Sequence, residues 1–104
     1  MMLTVVETTI FQRYAAEIWT SEEKHDFIDW IAEHPDAGDL IPGSGGLRKV
    51  RWGRAGMGKR GGARVIYFVK TAQGEIWLLI AYAKAKFDNL PGHVLQQWKE
   101  AIDG

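Results

Sequence analysis

Between Lys49 and Lys86 the chain spaces its cations as a phosphodiester-binding site would require. Side chains alternate along an extended segment, so Lys49 and Arg51 share one face while Val50 and Trp52 take the other. Arg64 opens the next β-type run and shares its parity with Ile66 and Phe68, which carries a guanidinium into a face that turns apolar. A guanidinium so placed is matched to a bidentate anion. Beyond Tyr82, Lys84 and Lys86 leave with the same parity as the tyrosine, and antiparallel pairing returns them to the start of the Arg64 run. The spacing therefore predicts a cluster of Lys49, Arg51, Arg64, Tyr82, Lys84 and Lys86. Such a set stabilises charge growing on phosphoryl oxygens, and a lysine whose pKa is depressed by neighbouring cations moves protons. The competing reading makes Lys84 and Lys86 solubilising residues and Tyr82 an amphipathic rim residue.

Other chemistries find less support. His25 and His34 lie on or near an acidic helix, and His93 opens the last one, all remote in sequence from the basic strands. No histidine pair with a carboxylate has metal-ligand spacing. Gly56, Gly58 and Gly61 formally fit a dinucleotide fingerprint, and Gly53, Gly58 and Lys59 a P-loop, but both motifs need a helix to follow, and here a strand does. Arg60 also replaces the Ser or Thr that would hold magnesium. The glycine-rich stretch is better read as a hairpin loop on which Arg54, Lys59 and Arg60 ride as phosphate-gripping arms.

Charge is sharply partitioned. Residues 1–46 carry two basic and nine acidic side chains, residues 47–86 ten basic and one acidic, and the chain as a whole is neutral. A polyanion-binding face backed by an acidic one has this signature; mutual neutralisation of acidic helices and a basic sheet is the alternative. With 104 residues, 46% hydrophobic and 25% charged, the composition is that of one globular domain spanning 1–104. The absence of cysteine removes disulfides and thiolate metal sites. No run reaches the roughly 18 apolar residues of a membrane helix, and the first residues lack the basic flank and cleavage site of a signal peptide, so a cytoplasmic protein without membrane contact is expected.

The elements that must position these residues follow from periodicity. Leu3–Glu7 reads as a strand. Phe11, Tyr14, Ala15 and Ile18 have helical spacing, and Thr20 with Glu23 fits a capping box ahead of the Phe27, Trp30, Ile31 stripe, in a helix that stops before Pro35. Residues 35–46 are dense in turn formers and read as a loop. Strands are predicted over 47–52, 63–70 and 75–82, the last apolar at both parities and so covered on both faces. Val94, Leu95, Trp98 and Ile102 mark a closing helix with Pro91 near its first turn. The sum is an α+β fold, a small antiparallel or mixed sheet with the helices on one face.

The segments 45–52, 58–67 and 79–84 together resemble the RelE/HigB toxin superfamily of type II toxin–antitoxin systems, in its HigB-like branch, with GKRGGxRVIY (58–67) as the specific part. The resemblance spans nearly the whole chain and implies a RelE-like microbial RNase fold. It also implies a ribosome-dependent mRNA endonuclease restrained by a cognate antitoxin, commonly a helix-turn-helix protein of HigA type. On this reading Arg64 contacts the scissile phosphate, and Lys49 and Arg51 match the paired basic positions of the preceding strand. Arg48, Arg51, Arg54, Lys59 and Arg60 hold RNA backbone. Relatives place Arg, His or Tyr near the end of the last strand; the arginine of the RelE branch falls on Ala85, which leaves Tyr82, Lys84 and Lys86 as candidates for the general acid. The implied cleavage uses the RNA 2′-OH and no metal or other cofactor. A non-catalytic RNA- or ribosome-binding module on the same fold, or a sheet that docks an acidic peptide, are the alternatives.

Overall fold

The computed structural model describes residues 3–53, 62–83, 86 and 90–103. The elements run β1 (Thr4–Glu7), α1 (Thr9–Ile18), α2 (Ser21–Glu33), β2 (Asp39–Leu40), β3 (Arg48–Trp52), β4 (Ala63–Lys70), β5 (Glu75–Ala83) and α3 (Gly92–Asp103). The strands form one mixed sheet in the order β1-β5-β4-β3-β2, with β1 parallel to β5 and the other neighbours antiparallel.

Local chemistry sets the boundaries. Thr20 accepts from the Glu23 N–H while Glu23 accepts from the Thr20 N–H, the reciprocal cap expected at the start of α2. Thr8 has a double task between β1 and α1: its Oγ1 accepts from the Phe11 N–H and donates towards the Leu78 and Leu79 carbonyls at 2.8 and 3.2 Å. The chain thereby leaves β5 after four paired residues, and α1 lies against the remainder of that strand. One face of α1 sends Phe11 and Ala15 into one core, while Ile10 and Tyr14 join the other.

Two cores sandwich the sheet. Phe11, Phe27 and Ile31 of α1 and α2 pack on Val65, Tyr67, Ile76 and Leu78. Leu95, Trp98 and Ile102 of α3 pack on Ile66, Phe68, Leu79 and Ile80 from the opposite side. The N-terminal helices thus share a face as expected, but α3 does not join them, because β5 offers apolar side chains to both sides and needs a cover on each. An extra residue contributes to this: Ile66 pairs with Ile80 and Tyr67 with Leu78, leaving Leu79 as a bulge. Leu79 and Ile80 consequently enter the same core, and alternation resumes with Ala81 on the other side.

The segment 35–46, expected as plain loop, contains the two-residue edge strand β2. Tyr67 makes that strand possible. Its buried hydroxyl accepts from the Gly38 N–H and donates to the Pro35 carbonyl, both at 2.8 Å, while the Arg48 guanidinium donates to the Gly38 carbonyl at 2.7 Å. A Cβ on Gly38 would lie 2.9 Å from the Tyr67 ring and 3.0 Å from the Lys49 carbonyl, so only glycine lets the chain approach this closely. Further on, Ser44 is buried, donating to the Ile41 carbonyl and accepting from the Leu47 N–H, and the Ile41 N–H donates to the Leu47 carbonyl. The start of α3 rests on this loop, with Gly92 against the Pro42 carbonyl.

Candidate nucleic-acid interface

The aromatic packing beneath β3 decides which way its cations point. Trp52 contacts Phe27 edge-on at 5.5 Å between ring centroids and lies 4.9 Å from Trp30, and Val50 is buried in the same core. With Val50 and Trp52 committed to α2, alternation turns Lys49 and Arg51 to the α3 side of the sheet. Arg51 is paired with Arg64 across β3 and β4, and Arg64 in turn with Tyr82 across β4 and β5. Three neighbouring strands thus carry one row of arginine, arginine and tyrosine, and directly opposed like charges are unfavourable unless an anion bridges them.

Lys49, Arg51 and Arg64 line an open concavity of about 400 Å³. Its other wall comes from Asp39 to Pro42, in and after β2. Among the described residues none of these three cations is ion-paired to a carboxylate of the chain. The site is therefore a cationic hollow at one corner of the sheet, suited to an oxyanion with several acceptor atoms.

The remaining predicted residues divide. Tyr82 stands beside Arg64 as expected but is only 3% exposed. Burial holds its phenol above the ordinary value of 10.0, with the Arg64 charge opposing the shift, so it is a buried neutral neighbour of Arg64 rather than a rim residue. Arg48 has the opposite parity to Lys49 and Arg51, and its bond to the Gly38 carbonyl makes it a strut for β2. Lys86 is directed to α1, where its Nζ lies 2.8 Å from Glu17 Oε1 and 5.0 Å from the Tyr14 ring centroid. Its hydrogen bond to that carboxylate raises its pKa, the reverse of the depression expected for a proton-shuttling lysine among cations. Lys84, Arg54, Lys59 and Arg60 lie outside the described residues.

Asp39 and the apolar residues after it escaped the sequence reading. In the sequence Asp39 is one acid among the nine of residues 1–46. The signal that would have found it is long-range: Tyr67, a buried tyrosine on β4, needs partners for its hydroxyl, and finding them at Pro35 and Gly38 brings Asp39 opposite Lys49. Among the described residues no group of three His, Asp or Glu side chains is placed to hold a metal ion, and no helix is long and apolar enough to cross a membrane.

The chain matches no family model. Solved structures are similar to it over most of its length. The E. coli toxin RelE, in the free state and with two arginines changed to alanine, superposes with a TM-score of 0.61 at 13% identity, covering 85% of this chain and 90% of its own. A chain of the Mycobacterium tuberculosis RelBE2 toxin–antitoxin complex gives 0.62 at 15% identity, covering 80% of this chain and 99% of its own. Sheet, helices and cover on both faces together give this protein the RelE-like α+β fold.

Proposed function

We propose that this protein is the toxin of a type II toxin–antitoxin pair, in the HigB-like branch, and an endoribonuclease that cuts mRNA on the ribosome. The observation that carries the reading is the convergence of Lys49, Arg51 and Arg64 from two strands on one hollow, on a fold otherwise seen in RelE toxins. In the proposed reaction the RNA 2′-oxygen attacks the adjacent phosphorus, the bond to the 5′-oxygen breaks, and a 2′,3′-cyclic phosphate and a 5′-hydroxyl result. Arg64 stabilises the charge gathering on the phosphoryl oxygens. Lys49, in its neutral amine form, takes the 2′-OH proton, solvent donates one to the departing 5′-oxygen, and the buried Tyr82 phenol beside Arg64 supplies a fixed dipole. The cognate antitoxin, a helix-turn-helix protein of HigA type on this reading, restrains the activity; the proposed site of action is the cytoplasm.

Mapping mRNA 5′ ends in a translating extract tests the proposal. New 5′-hydroxyl ends should appear with the wild-type protein and fall by about 10²- to 10³-fold with Arg64→Ala, the scale of removing one oxyanion-stabilising donor. A folded Arg64→Ala variant that cleaves at the wild-type rate refutes the assignment. Binding to ribosomes or RNA without cleavage by the wild type favours the non-catalytic module.

A further inference from the structure

The two walls of the hollow differ in kind. Cations form one. Ile41 and Pro42 form the apolar part of the other. Asp39 stands where they meet, as the strand partner of Lys49. The segment is fixed from below by Tyr67 and Arg48 at Gly38 and closed by the Ile41 to Leu47 backbone bond, so Asp39 and Ile41, on the Lys49 side of the sheet, are held at the hollow without first having to be ordered.

A phosphate needs none of this second wall, and a carboxylate beside it is a liability. A nucleotide uses all of it. The base has a flat apolar face that the Ile41 and Pro42 shelf removes from water, and an edge of hydrogen-bonding groups. An ionised carboxylate only accepts, so it selects an edge with donors. Guanine presents two adjacent ones, N1–H and the N2 amino group, which match the two carboxylate oxygens. Uracil offers a single N–H, and adenine and cytosine set an acceptor beside their amino group, which the carboxylate repels. In single-stranded RNA that edge is unpaired and open to a protein.

We propose that Asp39, with the Ile41 and Pro42 shelf, forms a guanine subsite for single-stranded RNA whose phosphate lies among Lys49, Arg51 and Arg64. The inference rests on the RNA-directed reading of the hollow but is independent of cleavage, and Asp39 acts in it as a specificity-determining residue.

The test is equilibrium binding of fluorescent 2′-O-methyl hexanucleotides, which lack the nucleophile and stay intact, at one fixed low salt concentration. One series carries a single guanine in a uridine background, a second inosine at the same place, which lacks only the N2 amino group, and a third uridine throughout. Wild type should bind the guanine oligomer on the order of 10-fold more tightly than the inosine one, the discrimination of one good bidentate pair. Asp39→Asn, which replaces an acceptor with a donor, should bring the two within about 2-fold. Equal binding of guanine and inosine oligomers by the wild type overturns the subsite and leaves the RNA reading standing. An Asp39→Asn variant that tightens every oligomer by one factor overturns it too, because Asp39 is then only a counter-charge. Failure of every oligomer to bind at low salt overturns both readings. The wild-type comparison uses no substitution, so it decides the matter whatever the variant's folding.

Discussion

Replacing Tyr67 with Phe tests whether a single hydroxyl holds the β2 side of the hollow. The ring, fully buried in the core under α1 and α2, keeps its packing; what is lost is one oxygen that serves the Gly38 N–H and the Pro35 carbonyl at 2.8 Å each. A typical hydrogen bond contributes about 1 kcal/mol net, and a buried group left without a partner costs about 1–3 kcal/mol. Gly38 is itself buried and wedged against the tyrosine ring, so water cannot replace the hydroxyl without moving the loop. The expected loss is about 2 kcal/mol. For a domain of this size that lowers Tm by roughly 8–16 °C, and at typical urea sensitivities it lowers the unfolding midpoint by roughly 1 M. Urea denaturation followed by tryptophan fluorescence measures it, and amide hydrogen exchange locates it: the Gly38 N–H should exchange much faster while β4 and β5 amides away from the loop follow only the global change. A loss below about 0.5 kcal/mol, with an unchanged urea slope and a still protected Gly38 amide, would show that the loop is held by something other than this hydroxyl.

Four further outcomes are expected. Arg64→Ala should abolish most new 5′-hydroxyl ends in translating extracts while leaving the circular dichroism spectrum unchanged. Lys49→Ala and Arg51→Ala should each reduce the dependence of single-stranded RNA binding on log salt by about 0.7, one released counterion apiece; an unchanged slope would remove that residue from the phosphate contact. Burial holds the phenols of Tyr67 and Tyr82 above 10.0 in the folded state, so the unfolded chain loses those protons first. Stability should be intact below pH 10 and fall as pH rises through the folded values, with a shallower fall in Tyr67→Phe. Gly92→Ala places a Cβ against the Pro42 carbonyl and should destabilise by about 1–3 kcal/mol, as overpacking does, whereas an unchanged thermal midpoint would mean that α3 shifts freely on the loop.

What could be read in advance depended on how local its cause is. The capping box at Thr20, the halt of α2 before Pro35 and the span of β4 are each dictated by a few adjacent residues, and they occur as expected. The facing of Lys49 and Arg51 was legible too, because alternation together with Val50 and Trp52 fixes it. Three things were not. The parallel placement of β1 depends on Thr8 meeting β5 carbonyls some seventy residues away. The two residues of β2 have no period to detect and are held by a tyrosine on another strand. Lys86 has the parity expected of a strand that continues, but its partner Glu17 is on α1, and the pairing takes it away from the cationic hollow. In each case a contact distant in sequence overrode the local pattern.

The bulge at Leu79 bears on which length changes the molecule tolerates. Because Ile66 pairs with Ile80 and Tyr67 with Leu78, removing Leu79 would restore plain alternation with Tyr82 still opposite Arg64; the cost would be one apolar side chain and the carbonyl that Thr8 reaches. Removing Ala81 instead would also absorb the bulge and keep Tyr82 opposite Arg64, but it would bring Ile80 into the place of the small Ala81 in the other core. Single-codon loss in this stretch of β5 should therefore spare the site, whereas a single insertion would add to the bulge and press on the register of Tyr82.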